Sequence, residues 1–390
     1  MLGALILVVI AGCGFRVAGT PDGTRDADAD ADQRDAPPDA QLGCIRDLAT
    51  RRDFGCAAKT DGTAWCWGKN QDGQLGDGTA TDRTVPVRVG MLTNITAVAT
   101  ASRMAYALDT NGRVWAWGLN DVGQLGDGTT TNHRDPRVIP NLTNVTQLTA
   151  GRGHVCAATS ASEIYCWGFN DKGQIGDGAT GTSRRTPFLV RTGTQVAAGG
   201  RHTCALATDQ SVWCWGWNSD GQLASGGTND SNVPIRVPGI VAEQIAAGGG
   251  QTCARKADGT VWCWGSNLVG QVDGGNANRS TATQVPGITD AVEIVLGGRR
   301  SCARLVTGAF TCWGEPPFGA PNNVQNGHAP PTAITELDHG RAFAPGAYHT
   351  CGVRPDGVLI CTGRNTAGQL GDNTMTSRLT YAPVMLSCAM

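Results

Sequence analysis

Cys66-Trp67-Gly68-Lys69-Asn70-Gln71-Asp72-Gly73-Gln74-Leu75-Gly76-Asp77-Gly78 is the first of seven versions of one phrase in this 390-residue chain. The later copies begin at Ala116, Cys166, Cys214, Cys263, Cys312 and Cys361, a spacing of 48 to 50 residues. A fixed period of this size with strand-like content means stacked or radial supersecondary units. Residues 42–390 then form one array, and only an N-terminal tail stands outside it.

The third copy shows what a unit contains. Residues 145–150 alternate and are rich in β-branched side chains; 154–158 and 164–167 are two further short runs, and 188–190 is a fourth. Four short strands separated by Gly, Asp and Thr turns are the pattern of a propeller blade. No stretch sustains a helical period, which argues against an α-solenoid. The expected fold is all-β: a seven-bladed β-propeller of four-stranded antiparallel blades. A Gly follows the third strand in every copy (Gly68, Gly118, Gly168, Gly216, Gly265, Gly314 and Gly363), as a close backbone approach or a positive φ would require. The Trp before it is present in six copies and is Thr362 in the seventh. These indoles are expected to pack between blades.

The shared phrase Cys-Trp-Gly-x-Asn-x-x-Gly-Gln-Leu-Gly-Asp-Gly-Thr is preceded in the fourth unit by Gly199-Gly200-Arg201-His202-Thr203-Cys204-Ala205-Leu206. Together they closely resemble the regulator of chromosome condensation repeat family, over about nine tenths of the chain. The resemblance implies a seven-bladed ring, which the count of seven matches. Nucleotide exchange on a small nuclear GTPase, the family's best-known activity, fits poorly with the cysteine content described next. Some secreted bacterial members block β-lactamase active sites with one propeller face, so enzyme inhibition is an alternative role.

Twelve of the 15 cysteines fall into six pairs ten residues apart: Cys56/Cys66, Cys156/Cys166, Cys204/Cys214, Cys253/Cys263, Cys302/Cys312 and Cys351/Cys361. With a short hairpin at 60–62, Cys56 faces Cys66 across two antiparallel strands, within disulfide reach. The second unit has Tyr106 and Ala116 at these positions, so both cysteines are missing together. Zinc is the alternative, but the close Cys-x-x-Cys clusters of metal sites are absent. Disulfides require an oxidising compartment. In the repeat frame Cys44 and Cys388 fall beside each other where the ring closes, and a bond between them would staple first blade to last.

Cys13 is the remaining cysteine. It follows an apolar run ending Val9-Ile10-Ala11-Gly12, and this resembles a bacterial lipoprotein signal in which the Cys is acylated. No Lys or Arg precedes the run, a departure from export signals. A short apolar tail with an incidental Cys is the alternative. Residues 1–12 are thus expected to be a signal peptide and 13–41 a disordered acidic linker. The first 40 residues hold seven Asp and three Arg, and low hydrophobicity with like charge keeps a segment extended. The Asp26-Ala27-Asp28-Ala29-Asp30 alternation lacks the Gly and terminal Glu of a calcium loop.

Formal net charge is −2, with 31 basic and 33 acidic residues, so the chain lacks the basic footprint of a nucleic-acid binder. Arginines nevertheless recur at the turn between first and second strands: Arg51, Arg52, Arg103, Arg152, Arg201, Arg299 and Arg300. In a propeller this turn lies on one face in every blade. The set is either a common solvated turn residue or a broken guanidinium ring suited to carboxylates, with Arg52, Arg103, Arg152, Arg201 and Arg299 as the candidates. Of the six histidines, His154, His202 and His349 share one repeat position, which points to structural hydrogen bonds. No nucleophile elbow, zinc-protease motif or phosphate-loop Lys is present. The expectation is a non-enzymatic propeller, without cofactor or metal, that binds an acidic protein or other macromolecule at the bacterial cell envelope through a lipid anchor. An exchange factor or an envelope hydrolase would be the remaining readings.

Overall fold

The computed structural model describes residues 9–11, 14–16, 44–316 and 329–387. Seven four-stranded antiparallel sheets follow one another along the chain. Blade 1 comprises Ile45–Arg51, Phe54–Lys59, Ala64–Gly68 and Arg83–Arg88, hydrogen-bonded in that order. Blades 2 to 7 repeat the plan and begin at Ile95, Val145, Gln195, Gln244, Ala291 and Ala342. The fourth strand pairs with the third of its own repeat, so each blade is one contiguous piece of chain. First strands of neighbouring blades touch all round, Ala342–Pro345 against Ile45–Arg51 included, and the ring is closed.

The indoles hold the blades together. Trp67, Trp117, Trp167, Trp215, Trp264 and Trp313 are at most 1% exposed, each in the apolar layer between blades. Five of them donate Nε1–H to the backbone carbonyl of the repeat Gln in the preceding blade. These bonds are Trp67 to Gln369 (3.0 Å), Trp117 to Gln74 (2.9 Å), Trp167 to Gln124 (3.0 Å), Trp215 to Gln174 (3.0 Å) and Trp264 to Gln222 (2.8 Å). The loop presenting that carbonyl is built by the rest of the phrase. In blade 1, Asn70 accepts from the Leu75 amide at 2.9 Å and donates to Asp77 at 3.0 Å, while Arg83 closes on Asp77. Gly76 follows with φ +67°, and a Cβ there would lie 2.8 Å from the Trp117 ring, so only Gly fits. Gly68 (φ +104°) likewise leaves no room, since a Cβ would meet the Asp53 carbonyl at 2.5 Å.

All six ten-residue cysteine pairs are disulfides, directly opposed in register with Cα separations of 4.0 to 4.1 Å. That is the short distance of a non-hydrogen-bonded cross-strand pair. In blade 2, Tyr106 stands opposite Ala116, and its hydroxyl donates to the Gln124 carbonyl at 2.6 Å. A buried phenol thus fills the space of the missing disulfide, and burial raises its pKa well above the ordinary value. Cys44 is also disulfide-bonded. Its expected partner, Cys388, lies outside the described residues, but Leu386 packs in the same apolar cluster as Cys44.

The N-terminal tail departs from expectation in one respect. Val9–Ala11 and Gly14–Arg16 pair as a two-stranded antiparallel hairpin, with Ala11 opposite Gly14. The second of these strands falls in the stretch expected to be linker. The apolar character of this run, unlike the Asp-rich segment after it, gives backbone pairing a chance. Cys13 and residues 17–43, where the lipid attachment and the acidic spacer were expected, lie outside the described residues. No helix among the described residues is long and apolar enough to cross a membrane.

Candidate binding face

The turn between first and second strands lies on one face of every blade, as the repeat pattern implies. All seven turns contribute to the lining of a wide axial mouth of about 720 Å³. Arg51, Arg52, Arg152, Arg201 and Arg299 line it, together with Trp217 and Tyr348. Asp220 and Glu315 supply its carboxylates. Among the described residues no carboxylate pairs with Arg52, Arg152 or Arg299. Arg201 reaches Asp171 at 3.1 Å and lies 6.0 Å from the centre of the Phe169 ring.

Two arginines behave otherwise than the sequence suggests. Arg103 does not line the mouth. Its guanidinium grips Asp72 of blade 1 in a two-point ion pair, Nε to Oδ2 at 2.6 Å and Nη2 to Oδ1 at 2.7 Å. Arg300 is not a solvated turn residue, being 8% exposed between blades 6 and 7. Register explains this: Arg300 pairs with Gly314 as His154 does with Gly168 and His202 with Gly216. Arg300 therefore occupies the histidine position, and Arg299 takes the turn.

That position carries an interblade relay beneath the mouth. His154 Nε2 lies 2.9 Å from Thr203 Oγ1, and Thr203 donates to the Gln174 carbonyl at 2.8 Å. Because the hydroxyl proton is committed to Gln174, His154 must donate from Nε2. His202 repeats the contact to Thr252 at 2.8 Å. Blade 1 has Gly55 where Thr203 and Thr252 stand, and His349 Nε2 is left buried without a partner. Burial drives all three imidazoles down, His154 to about 3 and His202 and His349 to about 4, so they are neutral near pH 7. The Gly three residues earlier makes room: a Cβ on Gly151 or Gly199 would lie 2.4 or 2.2 Å from the ring. These histidines are held by the scaffold and do not face the mouth as a catalytic set. Among the described residues no group of three potential metal ligands occurs.

Neither Trp217 nor Tyr348 was among the candidate binding residues. Trp217 fills the variable position of Trp-Gly-x-Asn, whose side chain leaves the strand beside the face, and Tyr348 takes the turn place held elsewhere by Arg. Arginine, tryptophan and tyrosine together on a concave surface are the residue types that dominate protein–protein binding energy.

Comparison with known proteins agrees with this architecture. The regulator of chromosome condensation (RCC1) repeat model matches residues 61–108, 111–158, 162–206 and 209–255. A second RCC1 repeat model matches 47–74, 95–124, 145–174, 194–222, 242–271 and 342–369. No curated protein sequence matches. Among solved structures, human WBSCR16 is 22% identical with a TM-score of 0.72, covering 83% of this chain and 95% of its own. Yeast RCC1 (Prp20), solved with Kap60, is 20% identical with a TM-score of 0.72, over 94% of this chain and 92% of that one. Prp20p from Saccharomyces cerevisiae, a structure whose description includes binding to Gsp1p and histones, is 22% identical with a TM-score of 0.71, over 87% of each chain. The chain belongs to the regulator of chromosome condensation (RCC1) repeat family.

Proposed function

We propose that this chain is a non-catalytic binding propeller, exported to the bacterial cell envelope and tethered there through Cys13, whose mouth grips an acidic surface of a protein partner. The observation that carries the reading is the mouth itself: five arginines line one cavity, and three of them (Arg52, Arg152 and Arg299) have no ion-pair partner among the described residues, beside Trp217 and Tyr348. Guanidinium forks match carboxylates in two-point geometry, and aromatic neighbours supply apolar contact. Six disulfides fit an oxidising compartment. Propellers of the same fold have been solved or described with protein partners, Kap60, Gsp1p and histones. The partners themselves are not carried over.

The test is photo-crosslinking in the native host, with the reactive group at position 152 on the mouth or at 306 away from it. A protein captured only from 152 is then purified and titrated against the full chain. Replacing Arg52, Arg152 and Arg299 together by Ala should weaken that complex at least tenfold and flatten its salt dependence. Unchanged affinity would dispose of the face. If the captured protein is an enzyme whose turnover falls on binding, the role is inhibition through the same mouth.

A further inference from the structure

The seam between blades 6 and 7 is built unlike the others. Blade 7 has Thr362 where six blades have the buried Trp, and Thr362 donates within its own blade, to the Arg378 carbonyl at 3.0 Å. Blade 6 has Glu315-Pro316 where the other blades have x-Asn, so the sequence that builds the Gln loop departs from the repeat as well. The indole donor of one interblade bond is thus lost at the seam where the sequence around its acceptor also departs from the repeat. The space left is a slot of about 40 Å³, lined by Arg299, Arg300, Glu315, Tyr348, Thr350 and Thr362 among others. Arg299, Glu315 and Tyr348 also line the mouth, so the slot opens from it.

Arg300 is the conspicuous group. Its Nε donates to the Glu315 carbonyl at 2.7 Å and its Nη1 to Thr350 Oγ1 at 2.9 Å, both neutral acceptors. Among the described residues no carboxylate forms an ion pair with it. Glu315 acts on this buried charge without ion-pair contact, so part of its desolvation cost remains for an arriving anion to return. The Tyr381 hydroxyl, which feels the Arg300 charge, is buried in this seam without a hydrogen-bond partner. Two guanidiniums against the single Glu315 carboxylate leave the slot net positive. A volume of 40 Å³ exceeds what one water needs and suits a carboxylate group.

We propose that the slot between blades 6 and 7 is a carboxylate subsite that anchors one acidic group of a protein partner on the Arg300 guanidinium. The proposal rests on the mouth being the binding face and names where on it the anchor sits. Acetate is the first probe, added to the full chain at constant ionic strength against chloride. Arginine Nε–Hε resonances are followed, the Arg300 signal being identified by its loss in Arg300→Gln; blade 5 already carries Gln251 at this position. Acetate should shift the Arg300 signal saturably and chloride should not. Acetate should also raise the melting temperature of the wild-type chain but not of Arg300→Gln. Thr362→Trp, which restores the repeat residue and fills the slot, should weaken acetate binding at least tenfold. The Arg52→Ala/Arg152→Ala/Arg201→Ala variant should keep it. An unmoved Arg300 signal, equal shifts with chloride, or full binding by Thr362→Trp and Arg300→Gln would overturn the subsite. Shifts confined to Arg152 and Arg201 would overturn it too while leaving the mouth as the face. Two peptides then identify the source: one capped at both ends with a single Glu, the other Glu-free with a free C-terminal carboxylate. Displacement of acetate by either supports the slot, and displacement by neither sinks it.

Discussion

The seam between blades 3 and 4 and the seam between blades 6 and 7 start from the same repeat and end in different chemistry. At the first, Trp215 and Thr203 both donate to the Gln174 carbonyl, and His154 completes the relay, neutral and donating. At the second, Thr362 replaces the indole, Pro316 replaces the repeat Asn, and Arg300 stands in the histidine's place. The first seam is filled and bridged by neutral hydrogen bonds. The second keeps a buried cation beside an open slot. One scaffold therefore tolerates a polar opening at a single joint because the other joints are packed.

The comparison breaks most sharply by mutation at the indole. Trp215→Ala should destabilise the chain by about 3–5 kcal/mol, the usual cost of emptying a fully buried aromatic site. Thr362→Ala at the equivalent position should cost about 1 kcal/mol or less, since it removes one hydrogen bond and little volume. Denaturant unfolding of both variants checks the contrast, and equal losses would refute it.

Disulfides come next. Cys204→Ser with Cys214→Ser should lower stability by roughly 2–3 kcal/mol in the chain-entropy model for a ten-residue loop. Making the reverse change in blade 2, Tyr106→Cys with Ala116→Cys, should yield less, because the Tyr106 hydrogen bond to Gln124 is lost. Unfolding curves under non-reducing conditions, with thiol counts to verify pairing, give the measurement.

Acid should separate the seams by charge. The folded-state pKa values of His154 and His202 lie near 3 and 4, below the ordinary 6.5. Their contribution is complete above the unfolded value and is lost as pH falls from about 6.5 toward 4, where the unfolded chain binds more protons. Arg300 adds no such slope, because its guanidinium stays protonated throughout. Replacing His154, His202 and His349 by Gln, as blade 5 has at this place, should flatten the fall in melting temperature between pH 6.5 and 4. A fall of the same steepness would assign the acid sensitivity to other groups.

The smallest effect concerns the arginine that left the mouth. Arg103→Ala should cost about 0.5–1 kcal/mol of stability, as expected of an exposed ion pair with two-point geometry. It should leave acidic-partner affinity unchanged, in contrast to Arg152→Ala. Loss of binding on Arg103→Ala would return that residue to the face.

The ring, the interblade indoles and the ten-residue disulfides were legible because each recurs at a fixed interval, so one copy interprets the next; which blade each fourth strand joins was not, because a period alone does not say whether it pairs within its own repeat or with the next. The face of the arginine turns was legible for the same reason. What repetition could not show was where a long side chain goes after it leaves the turn. Arg103 and Arg201 occupy the same repeat position and each pairs with an Asp of the preceding blade, yet only Arg201 lines the mouth. Arg300 looked like a second turn arginine because two adjacent Arg hide which of them holds the histidine register. The two departures at Thr362 and Glu315 were each visible, but their meeting at one joint depends on which loop carbonyl faces which indole.

Every hydrogen-bonded strand pair of the propeller joins neighbours within a single repeat, and none exchanges a strand between the last blade and the first. The order in which the seven pieces are threaded is therefore free of any sheet's pairing. Splitting the chain in the connection at 193–194 and linking the old ends should give a circular permutant with the same seven sheets.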